Sequence, residues 1–171
     1  ADANMLAVAA VEGKLDTRAD ASKHGGDFGK IVSGVNSCLD SVIGPLNVAA
    51  EYVERISNGD IPAEITDNYN GDFNEIKNNL NKCIVAVNLL VADANMLAVA
   101  AVEGKLDTRA DATKHGGDFG KIVSGVNGCL DSVIGPLNVA ADYVDRISKG
   151  DIPAVITDNY NGDFNTIKNN L

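Results

Sequence analysis

The chain has 171 residues, a formal charge of −10, only 5% aromatic residues and no Trp. An acidic surface repels phosphate backbones and anionic headgroups, which weighs against nucleic-acid and membrane-surface binding. Three cysteines, Cys38, Cys83 and Cys129, make an odd count with no Cys-x-x-Cys pair. They argue against a disulfide framework or a zinc site and fit a reducing, cytoplasmic setting.

Ala, Val, Ile and Leu dominate the 45% hydrophobic content, a composition suited to helices that bury a stripe against partner helices. No unbroken apolar run approaches the roughly 18 residues of a membrane span, so no direct membrane span is expected. The opening segment shows no signal-peptide pattern.

Repetition organises everything that follows. Ala1–Leu80 returns as Ala92–Leu171 with 7 changes in 80 positions, and every apolar residue is kept. A weaker repeat lies inside this one. Gly26-Asp27-Phe28 recurs 45 residues later as Gly71-Asp72-Phe73, and Gly13-Lys14-Leu15 recurs 46 residues later as Gly59-Asp60-Ile61. The basic unit is therefore about 45 residues, with two types in alternation. We place the units at 1–43, 44–90, 91–134 and 135–171, the last truncated at its C-terminus.

In chain order, the first unit carries an extended stretch after Gly13. A helix follows, with Phe28, Ile31, Val35, Cys38 and Val42 stepping 3-4-3-4. The next core residue, Leu46, comes after a second step of four, a stutter that shifts helix phase. Gly44-Pro45 sits at that point and is expected to loosen it. Pro45 fits the first turn of a new helix, where its missing N–H costs nothing. Leu46, Ala49, Val53 and Ile56 continue the seam until Asn58-Gly59, where glycine suits a positive φ.

Asp60–Gly71 is rich in Asp, Asn, Gly and Pro, and Pro62 forbids an ordinary helix interior there. Drawn out at about 3.3 Å per residue, this connector runs back along a four-turn helix, so the next helix restarts in parallel. Ile61 and Ile65 are expected to pin it. Asp72 is placed to cap the following helix and to meet its positive end. From Asp72 to Glu103 no Gly or Pro intervenes, which predicts one continuous helix of about 30 residues across the second and third units. The remaining units repeat this pattern.

The predicted fold is all-α: helix–connector–helix units. Two parallel helices give a seam but no closed core, whereas four close one. The units are therefore expected to form consecutive parallel four-helix coiled-coil bundles in a homodimer. An antiparallel solenoid of the armadillo or HEAT kind has repeats of similar length, but its connections are shorter.

Catalytic and metal motifs fail on register or context. Gly25-Gly26-Asp27-Phe28 lacks the second acidic residue of a diguanylate cyclase signature and any α/β surroundings. Asp67–Asp72 resembles a calcium loop, but Tyr69 falls at its third position and Gly71 at its fifth. His24 and His115 have no partner at ligand spacing and read as solvated connector residues. No cofactor, metal or catalytic set is implied.

These residues together resemble the HAMP domain, the linker of bacterial chemoreceptors and sensor kinases. The resemblance rests on Pro45-Leu46, Gly59-Asp60-Ile61, a second anchor at Ile65, the acidic helix start Asp72-Phe73, and Leu80-Asn81-Lys82-Cys83. The later even unit repeats it with Pro136, Gly150, Ile152, Ile156, Asp163 and Phe164. The odd units supply Gly13, Leu15 and Asp27, then Gly104, Leu106 and Asp118; they lack the opening proline and have Ala19 and Ala110 where the even units have isoleucine. The family's helix-opening glutamate is an aspartate here, a departure whose shorter side chain puts the family's usual contact back to the first helix in question.

The resemblance implies a non-catalytic relay that pairs with itself as a parallel homodimer and couples adjacent units to an output domain. It also implies the cytoplasm, including the cytoplasmic part of a membrane-anchored receptor. Small core residues such as Ala49, Cys83, Ala94 and Ala101 leave packing loosely specified, which favours two near-equal packings per unit. Ala101→Leu in a full-length receptor should then lock its output; unchanged signalling would sink that idea. A passive coiled-coil spacer and a partner-binding monomeric solenoid are the alternatives.

Overall fold

The structure, a computed structural model, describes residues 2–171. Helix α1 spans Asp2–Val11, α2 Gly26–Ser57, α3 Gly71–Val102, α4 Gly117–Ser148 and α5 Gly162–Asn170. Short 3₁₀ turns at Ala21–Lys23 and Ala112–Lys114 precede α2 and α4. Among the described residues there is no strand, so the expected all-α, helix–connector–helix architecture is borne out. The chain clusters into two compact halves, Ala1–Val85 and Ala86–Leu171.

The predicted continuous helix is present as α3, 32 residues from Gly71 to Val102. Its most apolar 18-residue window has a mean hydropathy of 2.0, so by length and composition this helix is able to cross a membrane. The absence of an unbroken apolar run had suggested otherwise. Two polar side chains on α3 are nevertheless engaged within the protein: Asn81 with a connector and Asp93 with a histidine.

The expected helix start at Pro45 is overturned. Helix α2 runs through Gly44-Pro45 without a break, and α4 runs likewise through Pro136. A mid-helix proline removes one N–H and crowds the carbonyl four residues earlier, here that of Ser41. The apolar period continues on both sides of it, with Ile43 buried two residues before, and the helix carries on across one missing bond. Ser41 Oγ donates to Ser37 O at 2.8 Å, a back-bond of the kind that bends helices.

Each first helix ends in the same way. After α2, Gly59 N–H donates to Ile56 O at 3.0 Å and Asp60 N–H to Arg55 O at 3.0 Å. This paired closure needs a left-handed residue, and Gly59 has φ +79°. The equivalent residues Gly13, Gly104 and Gly150 have φ of +71°, +72° and +81°. A side chain at any of them would be strained.

The connectors then return, as the residue count required. His24, two residues before α2 begins, sits against Asp2 at the start of α1. The two helices of the unit therefore start at the same end and run parallel. The core of a single chain is slight. Ala9, Ala19, Ile43, Ile65 and Ile84 are its buried hydrophobic residues in the first half, and Ala100, Ala110, Val123, Ile134 and Ile156 in the second. Along α2 the heptad residues Ile31, Val35, Val42, Leu46 and Val53 are exposed, as is Cys38 between them.

Candidate functional site

The distinctive chemistry of the chain lies where the connectors meet the helices. An extended segment laid on a helix cannot share the helix's own hydrogen bonds, so its buried backbone groups need another partner. One side-chain amide supplies it. Asn81 Oδ1 accepts from the Ile65 N–H at 2.8 Å, and Asn81 Nδ2 donates to Ile65 O at 3.0 Å. Asn36 does the same for Ala19 at 3.1 and 2.8 Å, and Asn127 for Ala110 at 3.1 and 2.8 Å. The amide stands in for a neighbouring strand, and the residue it grips is buried each time: 5% exposed for Ala19 and Ala110, 6% for Ile65.

The odd connectors carry a second tie. Arg18 donates through Nε and approaches through Nη2 the Asp40 carboxylate on α2, both at 2.7 Å. Its Nη1 meanwhile donates to the carbonyls of Leu15 and Thr17. Arg109 and Asp131 repeat this in the second half. A planar guanidinium bridging carbonyls and a carboxylate fixes the loop shape as well as its distance from the helix. The even connectors have no such bridge. There Arg55 pairs locally with Asp60, and Lys77 Nζ reaches Asp67 O at 3.3 Å.

The third tie corrects the expectation for the histidines. His115 is not solvated, whereas His24 keeps a side chain 35% exposed. His24 Nε2 lies 2.7 Å from Asp2 Oδ2, and His115 Nε2 lies 2.7 Å from Asp93 Oδ2. The His115 side chain is 1% exposed. Sequence spacing concealed the pair because its members are 22 residues apart, on opposite sides of the connector.

The hydrogen bond to Arg55 holds the Asp60 carboxyl below the ordinary carboxylate range, and the same bond raises Arg55. Asp20 and Asp111 are lowered by the hydroxyls of Ser22 and Thr113, then by the backbone N–H groups of those residues. These carboxylates thus cap the 3₁₀ turns in the ionised form.

The residues singled out in the sequence fall into three groups. Gly13, Gly59, Gly104 and Gly150 close the first helices, and Ile65 and Ile156 are buried connector anchors at 6% exposure. Ile61 is half-buried beside the fully buried Pro62, whereas Leu15 and Leu106 are exposed and Ile152 is 86% exposed. Pro45 and Pro136 are half-buried inside helices.

The aspartates are the third group, and here the capping expectation fails. The helices begin one residue earlier, at Gly26, Gly71, Gly117 and Gly162, so Asp27, Asp72, Asp118 and Asp163 lie inside the first turn. Among the described residues none of the four accepts a backbone N–H. Asp27 and Asp118 pair instead with Lys30 and Lys121 on their own helices. Their charge still meets the positive helix end. Phe73 and Phe164 are half-buried, while Phe28 and Phe119 are exposed.

The ties that do hold the connectors were mostly missed. Asn36 and Asn127 were not singled out at all, and Asn81 entered only as part of a motif. The available signal was a polar residue recurring at one place on an otherwise apolar helix face. Arg18 with Asp40 offered a weaker one, a pair of opposite charges present in odd units only.

A sequence model of the HAMP domain matches residues 23–89 and 114–171, well over half of the chain. The chain belongs to the HAMP domain family. No solved structure matches it. HAMP domains are non-catalytic relay modules of bacterial receptors, found in the cytoplasmic part of membrane receptors and typically working as dimers linked to neighbouring domains. Two matched regions in one chain make this a tandem HAMP array. The parallel helices, the glycine-closed first helix and the amide-held connector are the physical content of that assignment.

Proposed function

We propose that the chain is four HAMP units, at 1–43, 44–90, 91–134 and 135–171, relaying conformational change in a bacterial chemoreceptor or sensor kinase. It works in the cytoplasm as a parallel homodimer whose units stack as four-helix bundles leading to an output domain. Pro45, Pro136, the four closing glycines and the anchors Ile65 and Ile156 keep each unit in shape while its helices shift.

The exposed heptad seam carries this reading. Ile31, Val35, Val42, Leu46 and Val53 recur along α2 at coiled-coil spacing, yet each is two-fifths exposed or more in the single chain. Apolar residues placed so regularly match the seam of a second, identical chain. A passive spacer would require the seam but not the connectors, each closed by dedicated polar contacts.

Light scattering across a dilution series tests the assembly. The expected mass is twice 17.8 kDa. A stable helical monomer of 17.8 kDa would overturn the dimer and favour a solenoid with an open concave face.

A further inference from the structure

Odd and even units close their connectors at the same place with different chemistry. His24 and Tyr69 occupy equivalent positions, 45 residues apart, and Asp2 and Val48 are equivalent at the 46-residue shift of the first helix. In the odd unit His24 bonds Asp2 at 2.7 Å. In the even unit Tyr69 and Val48 line one crevice between connector and helix. The second half repeats both, with His115 on Asp93, and with Tyr160 and Val139 lining one crevice. The odd position holds a polar pair, and the even position lines a mostly apolar crevice.

Two further observations mark the odd contact as built for the purpose. His115 caps the 3₁₀ turn Ala112–Lys114, whose opening carboxylate, Asp111, accepts from both the N–H and the hydroxyl of Thr113. Gly120 then lets α4 approach it. A Cβ there would stand 2.8 Å from His115 O, and at Gly29 one would stand 2.6 Å from His24 O. The even units have no 3₁₀ turn before α3 or α5 and carry Asn74 and Asn165 at the glycine's place. The nearby charges Asp111 and Lys114 pair with each other at 3.9 Å, and the buried imidazole has Asp93 as its hydrogen-bond partner at 2.7 Å.

We propose that the His–Asp pair is a clasp that closes an odd connector onto an odd first helix and rejects an even one. At the second odd unit, valine in place of Asp93 would leave the His115 ring, 1% exposed, without its acceptor, and tyrosine in place of His115 would remove the Nε2 partner that Asp93 has at 2.7 Å. Both mismatches cost more than either matched pair. In a chain that alternates odd and even units of the same helix–connector–helix plan, this sorts each connector to its own helix. His115 and Asp93 are positioning residues. The clasp acts within one chain, so it does not depend on the relay reading.

Hydrogen exchange on the full 171-residue chain tests it, read at the amides of Ala110–His115. His115→Tyr and Asp93→Val are each expected to speed exchange there by about tenfold, the equivalent of one lost buried hydrogen bond. The double variant, which installs the even-unit pair, is expected to recover to within about threefold of the native rate, a coupling that independent sites do not show. The untouched connector at Ala19–His24 serves as an internal reference for general unfolding. If both connectors loosen together, the reverse exchange Val139→Asp with Tyr160→His is read instead, with the same rule for singles and double. Single variants that leave exchange unchanged, or a double that loosens as much as the two singles combined, would overturn the proposal.

Discussion

Ile84→Ala should remove about 2–5 kcal/mol from the unfolding free energy, among the largest losses open to a single substitution here. Ile84 is 1% exposed in a single chain that has few fully buried side chains to share the load. It lies on α3, in the same half as the connector residue Pro62, which is also fully buried. The deletion would remove apolar contact and leave a cavity in a region with little else to collapse into it. Ile84→Val should cost only about 0.5–1.5 kcal/mol, giving a graded series. Chemical denaturation at one fixed protein concentration is the measurement, because a dimer's stability depends on concentration. A cost for Ile84→Ala below that of Ile84→Val would show that the site is not part of the core.

The second large effect is expected at Asn81. Asn81→Leu keeps the size of the side chain and deletes both hydrogen bonds to Ile65, at 2.8 and 3.0 Å. The Ile65 N–H and C=O then remain buried without partners, at about 1–3 kcal/mol each. A loss of about 2–6 kcal/mol follows, concentrated in the connector. Hydrogen exchange should show the Ile65 amide released well before α3 frays. Asn81→Asp restores the acceptor and loses the donor, so it should sit between the two. Equal protection of the Ile65 amide in the native and leucine forms would sink the argument.

What could be read from the sequence divides along physical lines. Features set by periodicity or by backbone sterics were legible. Helix α3 followed from an uninterrupted apolar period, and the closing glycines from the left-handed turn that ends α2. The return of the connector followed from its length. Features set by competition between terms were not. Pro45 looked like a helix start because its local cost is plain, while the apolar period that runs through it is spread along α2. Asp27 and Asp72 looked like caps because the glycine before each gives no sign that the helix has already begun.

Contacts between residues far apart in the chain were the least visible. The His115–Asp93 pair, the Arg18–Asp40 bridge and the asparagine amides join residues 16 to 22 positions apart, across connectors. No helical or strand period links such positions. Asparagine is the instructive case, because its role depends on the backbone it meets and not on any side-chain partner that pattern could reveal.

That last property bears on how such a chain grows. Every tie described here closes within one 91-residue period: Asp2 with His24, Arg18 with Asp40, Asn36 with Ala19, Arg55 with Asp60, Asn81 with Ile65. Recombination between the two near-identical copies therefore adds or deletes a period without severing any of them. The asparagine grip reads main chain only, so the same device holds alanine in the odd connectors and isoleucine in the even one. Array length is thus open to change by unequal crossover, in steps of one odd and one even unit.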